Sequence, residues 1–525
     1  MHPIDGLVSA DAPLRLTKTT RRHVFFITLL LFIGACFRIN GLTRDSRLHS
    51  DEALFASYSR IMVIQGDWLL DEITTDKPPT TYLLVGMSLS IWGENEFAVR
   101  LPNVFASLLG LATFYALAKS CSRKQSAALI ALLLWVVSPI EIGYAPTAFQ
   151  DPPMLLFALL SAWMATRHQW KLAGLFLGLA IITKPTGLWL SPLIIALGIL
   201  IPYTHLEVEK GFSFKILQFL KNALRFLIPF AIPILLIYWW DQSRTAQSFI
   251  EIGGYNNNPG RFIRSSEVIP RLEAWLDLLS QFAAYPWLAI IFLLAAIIWL
   301  IVSAYREPSG LVSWAIAAFM MVYMAIYWLI AFSTWDRYVL PIAPFALIVS
   351  AQGITWLTSH RRGVTILVSI FILMVSWQPA INAVNRSNPP GADGLPELAD
   401  TLNRDYVGQI VYDNWLGWYL YWYLGGYPQV QVVYFPTPED LADHLQDADG
   451  LHYFVAPSAD TARPWLTLLN ANDILSTLAY QSINGDFVLY RLIPPQMPCE
   501  IIRNLSDLPI ERNEKCAISD ASLDQ

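Results

Sequence analysis

Between residues 23 and 380 apolar runs follow one another, most of them joined by short polar connections and two by the long stretches 43–96 and 241–275. A helix needs about 20 mostly apolar residues to cross a hydrocarbon core ~30 Å thick. Inside that core no water is available for stray backbone groups, so a spanning segment must satisfy its own hydrogen bonds. Runs near 23–42, 97–118, 126–143, 152–166, 171–184, 186–203, 224–240, 276–302, 311–332, 338–357 and 364–380 read as eleven spanning helices. The fold class expected is a polytopic α-helical membrane protein. Only 14% of the 525 residues are charged and 55% are hydrophobic, against about 25% charged in a soluble domain. The 20 tryptophans and 22 tyrosines suit a membrane–water boundary. A net charge of -6 leaves no basic excess for nucleic acid. The first apolar run ends in Phe37-Arg38-Ile39-Asn40, without a small-residue cleavage site, so it reads as a retained span rather than a signal peptide.

Lysine and arginine in the loops set the orientation. Arg15, Lys18, Arg21 and Arg22 precede the first span and place the N-terminus in the cytoplasm. Every second loop is then basic: Lys119, Arg123 and Lys124; Arg167 and Lys171; Lys210, Lys215, Lys221 and Arg225; Arg306; Arg361 and Arg362. The apolar segment 80–92 is only thirteen residues long, and counting it as a span would move every later basic cluster outside. Length and charge agree that it lies at the interface, as does the mixed segment 51–65.

An odd number of spans places residues 385–525 outside the cytoplasm, separate from the membrane domain 1–384. Asn388-Pro389-Pro390-Gly391 opens that tail as a linker. Short β-type runs (QIVYD, VQVVYF, LHYFVAP, DFVLYRL) then alternate with helical stretches at 394–404, 438–447 and 460–470, the pattern of a small α/β domain. It has no glycine-rich phosphate loop and no metal-ligand spacing, which suits a lid or scaffold. Four cysteines are too few for a disulfide framework. Cys36 and Cys121 read as inert thiols in or beside spans. Cys499 and Cys516 either pair, if the tail lies in an oxidising compartment, or stay free.

The chemistry-bearing residues gather in the outer loops. Asp51-Glu52 opens an amphipathic helix directly after the first span, where acids also suit the helix dipole. A carboxylate there can serve as a general base at the membrane surface. In Asp76-Lys77-Pro78-Pro79 the prolines hold the chain extended and delay the next helix, leaving a lysine suited to a phosphate. Asp151 opens the fourth expected span and could be its cap. Lys184 ends a short span, where snorkelling to water is the plain explanation. Arg261 and Arg264 lie in the long outer loop, and Asp336-Arg337-Tyr338 stands at the outer end of the tenth expected span.

These motifs occur in a familiar order. Asp51-Glu52-Ala53, Asp76-Lys77-Pro78-Pro79 before Tyr82-Leu83, Phe97-Ala98-Val99-Arg100-Leu101-Pro102, Gln150-Asp151-Pro152, Thr183-Lys184-Pro185 and Arg337-Tyr338-Val339-Leu340-Pro341 follow one another along 20–345. In this the chain resembles the GT-C glycosyltransferases of the protein O-mannosyltransferase and aminoarabinose transferase type. The resemblance implies an inverting transferase that takes sugar from a polyprenyl- or dolichyl-phosphate carrier to a protein, lipid or glycan acceptor. By that resemblance Asp51 is the essential acid, with Glu52 beside it. Lys77 and Arg337-Tyr338 meet the donor phosphate, helped by Lys184 and by Arg261 or Arg264. Asp151 is a further site candidate, and Asp76 is a candidate ligand for a divalent cation. One departure stands out: Phe55 occupies a position where aminoarabinose transferases tend to carry tyrosine, which argues against aminoarabinose and lipid A as substrates.

Two other functions compete. A membrane oligosaccharide ligase need not carry the early Asp-Glu and Lys-Pro-Pro motifs. A transporter or flippase of lipid-linked sugars would show related halves with broken helices and charges at mid-membrane. Here no repeat is evident, and the charges collect at one face.

Overall fold

The computed structural model describes residues 18–43, 46–203, 216–257, 259–306, 310–383, 392–448, 450–483 and 485–497. Cys499 and Cys516 lie outside the described residues, as does the expected linker at 388–391. Two regions follow in chain order: a helical membrane region ending at Ala383 and a small α/β domain beginning at residue 392.

The first helices are α1 (Lys18–Ile39), α2 (Ser50–Ser59), α3 (Thr80–Trp92), α4 (Glu96–Ser122), α5 (Gln125–Val136), α6 (Pro139–Tyr144), α7 (Asp151–Thr166) and α8 (Trp170–Thr183). After them come α9 (Ser191–Tyr203), α10 (Ile216–Gln242), α11 (Phe249–Asn257), α12 (Val268–Ser280), α13 (Pro286–Arg306), α14 (Gly310–Leu329), α15 (Ala343–Thr358) and α16 (Arg362–Ala383). Among the described residues, seven helical stretches are long and apolar enough to cross a membrane: Arg21–Ile39, Glu96–Ser122, Leu220–Gln242, Pro286–Ala304, Gly310–Leu329, Asp336–Thr358 and Gly363–Ala383. This is an integral membrane protein.

The remaining four expected spans are occupied by shorter pieces, for local reasons. Residues 126–143 are not one helix: Pro139 cannot continue α5, and α6 starts afresh there. Lys184-Pro185 ends α8 and hands the chain to a 3₁₀ turn, Pro185–Leu190, before α9. The expected 276–302 span likewise divides. Its start belongs to α12, which ends at Ser280, and Pro286 begins α13. Segment 80–92 is a thirteen-residue helix about 20 Å long, short of a bilayer core. It packs Tyr82, Val85 and Leu89 inward and leaves Met87, Ile91 and Trp92 exposed. Segment 51–65 is α2 followed by one π-helical turn, Arg60–Ile64, with Gly66 at positive φ ending it.

In the tail, β1 (Ile410–Asp413), β2 (Gln431–Tyr434), β3 (His452–Ala456), β4 (Leu475–Gln481) and β5 (Val488–Ile493) form one sheet in the order β2-β1-β3-β5-β4. β1 runs parallel to both β2 and β3, while β5 is antiparallel to β3 and β4. Helices α17 (Leu395–Asp405), α18 (Trp418–Leu424), α19 (Pro438–Gln446) and α20 (Ala459–Ala471) accompany it. The sheet is covered on both faces, by Leu395, Leu398, Leu402 and Leu420 on one and by Leu441, Leu445, Trp465 and Leu469 on the other. Two elements are additional to the sequence reading. The aromatic run Trp418–Leu424 is helical, and 475–481 adds an edge strand.

Helix α18 docks the tail on the membrane region. Arg60, fully buried on α2's continuation, donates to the backbone oxygens of Tyr421 (3.3 Å) and Trp422 (2.6 Å) and pairs with Glu94 at 2.7 Å. Tyr423 Oη accepts from Leu48 N at 3.0 Å, and Trp422 enters a core with Ala53, Ala56, Val85 and Ala98. The tail therefore braces the helix that carries Asp51.

Candidate active site

Helix α2 is started by His49, not by an aspartate. His49 Nδ1 accepts from Asp51 N at 3.2 Å, and Glu52 Oε2 accepts from His49 N at 2.8 Å. This capping arrangement divides the two acids. Glu52 is fully buried and receives Arg100 Nε and Nη2, both at 3.2 Å, and Ala148 N at 2.8 Å. It ties α2 to α4 and to the segment leading into α7, and it does not line the cavity beside it. Asp51 has no capping duty and keeps its carboxylate 37% exposed.

That carboxylate faces a cavity of about 170 Å³ lined by His49, Asp51, Gly143, Tyr144, Thr147, Phe149, Trp335, Asp336 and Arg337. Arg337 Nη1 reaches Asp51 Oδ2 at 3.3 Å across 286 residues of sequence. The guanidinium lies 4.5 Å from the Trp335 ring centre and 5.9 Å from that of Phe149. Its backbone is fixed by Asp336, whose Oδ1 accepts from Arg337 N at 2.8 Å and from the Tyr144 hydroxyl.

Two further ion pairs stand close by. Lys184 is buried and donates to Asp151 Oδ1 at 2.7 Å. Lys184 therefore does not snorkel to water, and Asp151, at the first position of α7, makes no side-chain cap. Lys184 lies 5.9 Å from the Tyr338 ring centre and within electrostatic reach of Arg337 and Lys77. Lys77 in turn donates to Asp76. Asp51, Asp151, Lys77, Lys184, Arg337 and Tyr338, scattered over almost 290 positions, thus belong to one neighbourhood in which every cation has an acid. Burial, with Asp76 nearby, raises the Tyr58 hydroxyl above its usual range, so it stays protonated and donates to Thr74 O at 3.1 Å.

The long-loop arginines do not join the cavity lining. Arg261 makes a two-pronged pair with Glu267, at 2.7 and 2.8 Å, on an exposed loop. Glu267 also accepts from the backbone of Arg264 at 2.8 Å. The arginine from this side that meets the first outer loop is Arg244, which the sequence reading passed over. It is buried against Trp240 and donates to Ile73 O at 2.8 Å and Thr75 Oγ1 at 3.3 Å, next to Asp76. An arginine two residues beyond the end of a span was the available signal. Asp76 lacks the company of a metal site. Its carboxylate receives Lys77, and among the described residues no three His, Cys, Asp or Glu side chains gather to hold an ion. Phe55 is buried on α2, its ring 5.9 Å from that of Tyr82.

The chain is similar in sequence and in fold to known proteins. Residues 76–233 match the family described as dolichyl-phosphate-mannose-protein mannosyltransferase. An undecaprenyl phosphate-α-4-amino-4-deoxy-L-arabinose arabinosyl transferase of Pseudomonas aeruginosa is 28% identical over 185 residues, 32% of this chain and 34% of the relative. The chain therefore spans about a third of the length of the curated relatives it matches. ArnT from Cupriavidus metallidurans, solved with undecaprenyl phosphate, superposes with a TM-score of 0.63 at 15% identity, covering 91% of this chain and 99% of that one. The oligosaccharyltransferase AglB of Archaeoglobus fulgidus, in complex with an inhibitory peptide and a dolichol-phosphate, gives a TM-score of 0.52 at 11% identity, covering 94% and 76%. This chain thus has the GT-C fold of these solved structures, and its residues 76–233 match the mannosyltransferase family.

Proposed function

We propose that this protein is a membrane glycosyltransferase that moves a sugar from a polyprenyl-phosphate donor to an acceptor outside the cytoplasm, with inversion at the anomeric carbon. The observation that carries the reading is a cavity that presents both Asp51 and Arg337, with Lys184 and Lys77, from two other distant segments, within electrostatic reach of one another and Lys184 within reach of Arg337. The leaving group is a lipid phosphate, and negative charge grows on its oxygen as the C1–O bond breaks. Cations already in place stabilise that charge without reorganising. A phosphate entering the cavity competes with Asp51 for Arg337 and so releases the carboxylate. The acceptor hydroxyl or amine gives its proton to Asp51 as its oxygen or nitrogen bonds to C1. The electron pair of the old bond leaves with the phosphate, and one displacement inverts the centre.

Orientation completes the reading. Lys119, Arg167, Lys171, Lys221 and Arg361 lie at the helix ends opposite this site, which supports a cytoplasmic N-terminus, an extracytoplasmic tail and residence in the inner membrane. Binding of undecaprenyl phosphate to purified protein tests the phosphate site. Lys77→Ala and Arg337→Ala should each weaken it about ten- to a hundredfold, the worth of one charge-assisted contact at roughly 1.5–3 kcal/mol. Unchanged binding in both variants would place the phosphate elsewhere.

A further inference from the structure

Helix α8 has cations at both ends. Lys184 follows its last residue and Lys171 is its second, so the two lie about 20 Å apart along the axis. At the Lys171 end, Lys171, Lys221, Leu224, Arg225, Ile228 and Pro229 line a groove of about 390 Å³. The five α10 residues stand at i, i+3, i+4, i+7 and i+8, which is one helix face. Their order along that face is polar to apolar. Lys221 and Arg225 come first, Leu224 lies between them, and Ile228 and Pro229 reach deeper.

The register across the groove is held by backbone contact. A β-carbon at Gly174 would run into Phe226 O, and one at Gly178 would sit 2.7 Å from Phe230 O. Small residues four apart let two membrane helices approach this closely, and the approach sets Lys171 opposite Lys221 and Arg225. Among the described residues none of these three cations has an acidic partner. The outer site differs, since each of its cations is paired. A general excess of cations on one membrane face accounts for their number. It does not account for three of them gathering, with no acid beside them among the described residues, at the mouth of a groove whose Leu224 and Ile228 are 58% and 63% exposed.

The geometry points to a binding site for an anionic phospholipid of the leaflet opposite the candidate active site. The headgroup phosphate sits among Lys171, Lys221 and Arg225, and an acyl chain lies along Leu224, Ile228 and Pro229. The aliphatic floor favours a membrane lipid over a free phosphate. None of these residues belongs to the site around Asp51, so the assignment stands apart from the proposed transferase reaction.

Native mass spectrometry of the full chain in phosphatidylcholine nanodiscs, titrated with phosphatidylglycerol, tests this. Each cation near an anionic headgroup contributes about fivefold. K171Q/K221Q/R225Q should therefore lose phosphatidylglycerol adducts by roughly a hundredfold while melting as the wild type does. R225Q alone should lose about fivefold and keeps the test valid if the triple variant folds poorly. Equal phosphatidylglycerol retention by wild type and R225Q would overturn the proposal. So would displacement of the adduct by millimolar inorganic phosphate, which would mean a free-anion site, or adducts with undecaprenyl phosphate but none with phosphatidylglycerol.

Discussion

At the scale of single residues, two neighbouring acids have opposite surroundings and should behave oppositely. Glu52 is enclosed by Arg100, His49 N and Ala148 N. Glu52→Gln leaves Arg100 buried without its counter-charge, a loss of about 3–5 kcal/mol when a buried pair is broken from one side. A large drop in thermal midpoint with low yield is expected, and a variant that melts normally would contradict the anchoring role. Lys184→Met should do the same from the other side by orphaning Asp151, read in the same melting experiment. Asp51, Lys77, Lys184 and Arg337 stood out as candidates in the sequence because their motifs follow the order of the family it resembles, and the structure sets them in one neighbourhood. The division of labour within Asp51-Glu52 was not legible, because it depends on which acid Arg100 reaches from another helix. Arg244 was missed for a related reason: nothing local distinguishes it from Arg261 and Arg264, and only tertiary packing sets it against Thr75.

At the scale of elements, the long helices followed from apolar length alone, and the breaks followed from proline. Pro139, Pro185 and Pro286 each begin a new helical piece, so an apolar run through them overstates one span. Helix α18 escaped notice because seven aromatic and aliphatic residues in a row show no helical periodicity. Its contact with α2 is where the tail meets the site. Arg60→Ala removes hydrogen bonds to Tyr421 O and Trp422 O and the pair with Glu94, about 1.5–3 kcal/mol for a charged donor. Hydrogen exchange should accelerate in Trp418–Leu424 while β3 and β5 keep their protection. Unchanged exchange in Trp418–Leu424 would show that the docking rests on other contacts.

At the scale of the whole molecule, the membrane region presents paired charges at one end and, at the other, Lys171, Lys221 and Arg225 without an acidic partner among the described residues, with the tail braced against the first end through α18. Cysteine labelling in intact cells checks this polarity: a cysteine at Ser458 should react with an impermeant reagent and one at Ser122 should not. The reverse pattern would put the candidate site on the cytoplasmic face. The most direct test of the central claim is turnover. Purified protein, supplied with a panel of polyprenyl-phosphate sugars and a membrane extract as acceptor source, is scored for free lipid phosphate. The account predicts release from at least one donor by the wild type. For Asp51→Asn, which keeps the shape of the side chain and removes the base, it predicts a fall of about 10²–10⁴-fold, with donor binding retained. Release at more than about a tenth of the wild-type rate by Asp51→Asn, or no release from any donor by the folded wild type, would contradict it.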